Sequence, residues 1–431
     1  MFYFLLVYLV LVLIRPQDYP AVAESPGPPL QSIALVLAAG LWLFSQRKSF
    51  NQPQYLLIPA FLLVAMVSKV VNGWAGGALF VFFVFAPVLL AYVLLANAVD
   101  TRARLQAAMG VFVICASVLA VHGIEQASTG IGWTGVELSQ GTRIQYVGIF
   151  NDPNDLGMLF VMCLPMAFYL SGRGGWLGLK RLFWWTAIVL LVWGCYLTNS
   201  RGTLLALVAM LGVYVWRTRG VVMAALMGVG ALGGLMMLPS RLQEMEVSEA
   251  SAMGRVESWY EGIQMFIGSP VFGIGAGGYS DLHELTAHNS FVLVLAETGI
   301  IGFTIWLAIV GYCFRMMLAV VERGDDIIDD VPLEVPDEVA LKDWKTDKAL
   351  SLCLLLSLTG FFTAAFFLSR SYVVILYLLV ALVVGHYTRM RATYPSLPVF
   401  SLEKDLIRWP SYAVIGVIGL YLTVKVLLAL A

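Results

Sequence analysis

The sequence predicts an all-α, polytopic membrane protein with about 12 to 13 transmembrane helices, and three observations carry that prediction. Hydrophobic residues fill 60% of the 431 positions and charged residues only 12%, against about 45–50% and 25% in soluble domains. Mean hydropathy is +0.84. The apolar residues gather into runs near the length that crosses a bilayer, about twenty residues per helix. A formal net charge of −1 and the lack of any lysine- or arginine-rich block exclude nucleic acid as a partner, because nothing would neutralise a run of phosphates.

Taken in order, the first apolar run covers 1–14. Ala21-Val22-Ala23 has the small-residue pattern of a signal-peptidase site, but the run lacks a basic start and Arg15-Pro16 follows it directly, so it reads as a short, uncleaved first helix. Apolar runs between polar breaks then predict helices at 30–46, 55–71, 78–98, 105–123, 152–170, 183–199, 201–216, 220–238, 289–315, 349–368, 371–388 and 411–430. The chain forms one membrane domain, 1–431. The five cysteines, Cys115, Cys163, Cys195, Cys313 and Cys353, all fall inside apolar segments with no CxxC pair, and read as small buried hydrophobes rather than disulfides or metal ligands.

Basic residues set the orientation. With the N-terminus in the cytoplasm, eighteen of the 26 lysines and arginines fall on the cytoplasmic side, Arg47, Arg102, Arg173, Arg217, Arg315, Arg389 and Arg408 among them, as the positive-inside rule requires. The opposite side receives Arg15, Lys69, Arg143, Arg201, Arg241, Arg255 and Arg370, with Lys425 near the end of the last helix. Two loops are long. The external loop 239–288 holds two arginines, seven acidic residues and two histidines; the cytoplasmic stretch 324–347 is acidic, from Asp325 to Glu338, and reads as a solvated loop without chemistry.

External arginines run against the insertion rule and so need a reason. Arg201 sits in Thr198-Asn-Ser-Arg-Gly202, a break too short to be a free loop. Two readings stand: an interfacial arginine that snorkels, or an anion site, since guanidinium offers planar paired donors matched to phosphate. Arg255 opens Arg255-Val-Glu-Ser-Trp-Tyr-Glu-Gly-Ile-Gln-Met-Phe-Ile267, whose apolar residues recur at helical spacing and stop at Gly268-Ser269-Pro270. This predicts an amphipathic helix on the membrane with Trp259 at the interface and Arg255 at its N-terminus, where the dipole favours an anion; the plainer reading is a surface arginine paired with a glutamate. His288 stands where the external loop enters the next span. It is either a capping residue or a base, because imidazole accepts a proton near neutral pH. His283 is a weaker candidate nearby, while His122 and His386 lie at helix ends without chemical partners and read as structural.

In Asn151-Asp-Pro-Asn-Asp155, Asp152 as N-cap and Pro153 as first helical residue make a helix-start signature. Asp152 and Asp155 also suggest a cation pair, but oxygen cages need more ligands. Gly273-Ile-Gly-Ala-Gly-Gly278 satisfies GxGxxG without a βαβ context, so it reads as a flexible turn. No HExxH, GxSxG or Walker pattern occurs.

At these residues the chain resembles the O-antigen ligase and O-antigen polymerase superfamily of bacterial inner-membrane glycosyltransferases. The resemblance is carried by Phe150-Asn-Asp-Pro-Asn154, Asn199-Ser-Arg-Gly202, Gly254-Arg255 through Trp259 to Gly275, and His288-Asn-Ser-Phe followed by Glu297-Thr-Gly-Ile-Ile-Gly302. It implies a GT-C-like fold and a metal-independent, inverting transferase that needs no cofactor. The donor it implies is a glycan on undecaprenyl diphosphate, and the site would face the periplasm. By that resemblance Arg201 and Arg255 bind the diphosphate and His288 acts on the acceptor hydroxyl. The acceptor is either the lipid A core, as in a ligase, or another lipid-linked glycan, as in an O-antigen or exopolysaccharide polymerase. A lipid-linked glycan transporter also fits a dozen helices, but the unusual polar residues gather on one face rather than in paired mid-membrane breaks.

Overall fold

The computed structural model describes residues 1–24, 27–46, 48–172, 178–236, 245–330 and 336–430. Among them the chain is helical, with two isolated bridges, Ile131 to Glu137 and Ser139 to Arg143, in place of any sheet. The helices are α1 Phe2–Ile14, α2 Pro20–Ala23, α3 Leu30–Leu43, α4 Gln54–Val71, α5 Ala75–Ala98, α6 Arg102–Thr129, α7 Pro153–Ser171, α8 Leu179–Leu197, α9 Arg201–Arg219, α10 Val221–Met236, α11 Met245–Gly268, α12 Tyr279–Leu282, α13 Ser290–Val321, α14 Asp337–Ala365, α15 Val374–Thr393 and α16 Arg408–Leu430. Every span read from the sequence coincides with one of them. Nine described helices, α4 to α8 and α13 to α16, are long and apolar enough to cross a membrane, and the protein is a multi-pass membrane protein. The remaining expected spans fall short for physical reasons. At 13 to 16 residues, α1, α3 and α10 reach only about 20–24 Å of a hydrocarbon core about 30 Å thick, and α9 carries Arg201, Arg217 and Arg219.

The bundle is built around α7. Its most apolar stretch is 83% buried, against 11% for α16 at the periphery. Small residues let its neighbours close in: a Cβ on Gly157 would lie 2.0 Å from Thr203 Oγ1 of α9, and one on Gly360 of α14 would lie 2.7 Å from Val161 of α7. Close backbone approach of this kind is how helices gain dispersion energy in lipid, where no hydrophobic force draws them together. The five cysteines are all free and buried.

The two ends of the bundle differ in their charges. At one end Arg102 of α6 donates to both Asp347 oxygens (2.8 and 2.9 Å) and to Asp343 (2.8 Å), and Arg389 of α15 reaches the same Asp347 (2.6 Å). Arg217 pairs with Glu322 and Arg315 with Asp405. These are arginines that the sequence put on the cytoplasmic side, and the pairs fasten helix ends distant in the chain. Arg47, Arg173 and Arg241 lie outside the described residues, as do Glu334 and parts of both long loops. The acidic stretch is less loop-like than expected: Asp325–Asp330 forms a 3-10 turn, Asp325 accepts from the Trp344 indole (3.1 Å), and α14 begins at Asp337. His122 bonds Thr134 (2.9 Å) and His386 bonds Ser351 (2.7 Å), both fully buried, in keeping with structural roles.

One span is not continuous. Gly299 breaks α13 with φ 63° and ψ −165°, and the Gly273–Gly278 turn, expected to be free, is seated in the gap. The Ile274 and Gly275 N–H groups donate to the Ala296 and Glu297 carbonyls (2.9 and 3.0 Å), and the Ile300 N–H donates to Pro270 (2.8 Å). The backbone groups freed by the break are thereby satisfied, a requirement for irregular chain at membrane depth. A Cβ on Gly299 would stand 2.4 Å from the Val271 carbonyl.

Candidate functional site

At the end opposite the Arg102–Asp347 cluster, the starts of α7, α9 and α13 are bonded to one another. Asp152 caps α7 as expected, accepting from the Asn154 N–H (2.7 Å) and side-chain amide (2.8 Å). Asn154 Oδ1 in turn accepts from Ser200 Oγ (2.6 Å) and Arg143 (3.0 Å), and Arg143 also donates to the Thr198 carbonyl (3.0 Å). Ser200 caps α9 by accepting from the Thr203 N–H. Two short motifs, Asn151–Asp155 and Thr198–Gly202, therefore form one unit. It leaves Arg201 exposed as the first residue of α9, where unpaired backbone N–H groups favour an anion.

Asp155 is held in an ion pair. Its carboxylate is clamped by both arms of the Arg370 guanidinium, and the described residues contain no cluster of three or more potential metal ligands. Arg370 lies between α14 and α15, and its N–H donates to Ser290 Oγ (2.8 Å) while Ser371 Oγ donates to the Ser290 carbonyl (2.8 Å). The start of α13 is thus fixed to α7 through Arg370. Sequence reasoning assigned this residue no role, although it belonged to the same set of external arginines as Arg201 and Arg255.

His288 precedes the α13 cap, Asn289, whose side chain accepts from the Phe291 and Val292 N–H groups (2.9 and 3.1 Å). The His288 backbone is left-handed, φ 46°, and that of Asn199 beside Arg201 is also left-handed, φ 48°. Non-glycine residues are costly in this region and cluster at functional sites. His283 is half-buried, its Nδ1 accepting from the Leu285 N–H (3.1 Å).

Arg255 enters from α11, and here two expectations change. The helix starts at Met245, so Arg255 stands in its interior and not at its N-terminus; the charge of the guanidinium, not the helix dipole, is what it offers. Trp259 is 5% exposed and packs edge-on against Phe366 (5.4 Å), so it belongs to the protein interior rather than to the membrane interface. The lower face of α11 is apolar because α13 and α16 cover it.

Electrostatics join the three candidates. Burial lowers the Arg255 pKa, Asp152 opposes this, and Arg201 adds to it. Burial, then Arg255, holds the His288 imidazole below its ordinary value, with Asp152 opposing and Arg370 reinforcing. Arg255 is thus within electrostatic reach of Arg201 and Asp152, and His288 within reach of Arg255, Asp152 and Arg370. Among the described residues neither Arg201 nor Arg255 has a carboxylate salt-bridge partner, whereas Arg370 has Asp155. Burial and the neighbouring guanidinium groups of Arg255 and Arg370 favour the neutral form of the His288 imidazole.

A groove of about 570 Å³ lies between α9, α13 and α14, lined by Phe291, Phe367, Leu205, Val208 and Phe314 among others. Leu205 is one turn below Arg201, and Phe291 three residues beyond His288. A second groove, about 740 Å³, between α13 and α16 shares Phe291 and Phe366 with the first. Leu205 and Phe291 thus bring the first groove within about one helical turn in sequence of Arg201 and His288.

Comparison with curated proteins gives no match. Residues 186–307 match the family described as O-Antigen ligase, a segment that runs from α8 into α13 and includes Arg201, Arg255 and His288. The matched segment is set in a bundle of membrane helices.

Proposed function

We propose that the protein is a glycosyltransferase of the O-antigen ligase type, moving a glycan from undecaprenyl diphosphate to an acceptor sugar hydroxyl at the periplasmic face of the bacterial inner membrane. One observation supports this reading: Arg201 and Arg255, guanidinium groups without carboxylate salt-bridge partners among the described residues, are electrostatically coupled to each other, and Arg255 to the half-buried His288, within the segment that matches the O-antigen ligase family. The prenyl chain lies in the α9–α13–α14 groove, which places the diphosphate level with Arg201. His288 takes the proton from the acceptor hydroxyl as its oxygen attacks the anomeric carbon, a task worth about 10²–10⁴ in rate. The bond from that carbon to the phosphate oxygen breaks, and the lipid diphosphate departs with the electron pair. Arg201 and Arg255 stabilise the charge that grows on it, a single well-placed donor being worth about 2.7–4 kcal/mol. A single displacement inverts the anomeric configuration.

The test is glycan transfer by purified protein with a lipid-linked donor, offering lipid A core and a lipid-linked glycan in turn as acceptor. Transfer to the first identifies a ligase, to the second a polymerase. His288→Ala is expected to lose transfer, and Arg201→Lys, which keeps the charge but not the fork, to lose most of it. Full turnover by a folded His288→Ala protein would remove the proposed base.

A further inference from the structure

Glu297 is 2% exposed and lies two residues before the Gly299 break in α13. A carboxyl group at this depth is expensive and calls for a purpose. Its Oε1 accepts from the Tyr279 N–H (3.3 Å) at the start of α12. The Tyr279 side chain, 1% exposed, turns the other way, and its hydroxyl donates to the Ser258 carbonyl of α11. Ser258 is about one turn from Arg255, and its own hydroxyl donates to the Gly254 carbonyl (2.8 Å). Gly262 makes the approach possible: a Cβ there would lie 2.4 Å from Val292 Cγ1 of α13 and 3.1 Å from the Tyr279 ring. A polar chain thus runs from the break inside the membrane to the helix that bears Arg255, with the turn at 270–278 bracing it through its bonds to Ala296 and Glu297.

We propose that Glu297 and Tyr279 are positioning residues that fix the height and rotation of α11, and with them the place of the Arg255 guanidinium in the site. The inference rests on the reading of Arg255 as a diphosphate ligand. Packing alone would be served by apolar residues at both positions. Glu297 and Tyr279 instead hold α11 by directional bonds, which set rotation as well as distance.

Two measurements on the full-length protein test this. Spin labels at Glu257→Cys on α11 and Glu137→Cys on the external loop, both exposed, give the position of α11 relative to the bundle; the five native cysteines are buried. Tyr279→Phe and Glu297→Leu are expected to broaden or shift that distance distribution. They also lower kcat/KM for the lipid-linked donor about three- to tenfold, the worth of one such hydrogen bond, mainly through KM. Glu297→Gln, which keeps an oxygen for the Tyr279 N–H, restores both readings. An unchanged distribution in Tyr279→Phe, wild-type kcat/KM despite a shifted one, or failure of Glu297→Gln to restore them overturns the proposal. Wild-type transfer by Arg255→Ala would instead refute the diphosphate role of Arg255, a separate failure because the spin-label distances do not depend on it.

Discussion

Replacing Arg370 by Ala should cost more than replacing Asp155, although the two form one ion pair. Removing one partner of a buried pair costs about 3–5 kcal/mol because it strands the other charge, so the cost depends on which charge is stranded. The Asp155 side chain is 2% exposed and that of Arg370 29%. Arg370→Ala leaves a carboxylate with no route to water, and the upper end of the range applies, about 5 kcal/mol. Asp155→Ala leaves a guanidinium that reaches the surface by rotating, and about 3 kcal/mol is expected. The double alanine variant removes both charges and should cost less than the sum by about 2 kcal/mol or more, the signature of direct coupling. Denaturation of each purified variant in micelles, followed by tryptophan fluorescence, supplies the four numbers. An Asp155→Ala variant less stable than Arg370→Ala, or two single variants within about 1 kcal/mol of wild type, would show that this pair does not hold α13 to α7.

The acid limb of the kcat/KM profile should lie below the ordinary histidine value of about 6.5, because burial, Arg255 and Arg370 lower the His288 pKa. The imidazole acts when neutral, so activity is present above that pKa and fades as pH falls through it; Asp152→Asn removes the one opposing charge and should move the limb further down, and an upward move counts against the assignment. Gly299→Ala should destabilise the fold by about 1–3 kcal/mol from backbone strain alone, with the 2.4 Å approach to Val271 adding to it; an unfolding midpoint equal to wild type would mean that the break in α13 tolerates a side chain.

Hydropathy made every membrane helix visible in the sequence, because apolar run length and bilayer thickness are the same physical quantity seen from two sides. Asp152-Pro153 announced the start of α7 through local chemistry alone, and the external arginines stood out because they oppose the insertion rule. Less was legible where the partner is remote. The Asp155–Arg370 bond joins residues 215 apart, and no periodicity links them, so in the sequence Asp155 stood out only beside Asp152. The early start of α11 was missed because Ser248 to Ser251 are polar or small and carry no apolar stripe. The seat of the Gly273–Gly278 turn was invisible for another reason: glycines signal freedom of backbone, and only the facing chain decides whether that freedom becomes a loose turn or a tight fit.

The arginine–aspartate cluster at the far end of the bundle has a bearing on how the protein is made. Arg102 and Asp347 are separated by 245 residues, so at a synthesis rate of about 5–20 residues per second the arginine waits about 12–50 s for its partner to leave the ribosome. During that interval the first six helices have been delivered to the bilayer while the counter-ion that locks α6 to α14 is still untranslated. A nascent chain arrested before Asp343 and Asp347 therefore holds the Arg102 guanidinium without the two carboxylates that pair with it in the finished bundle.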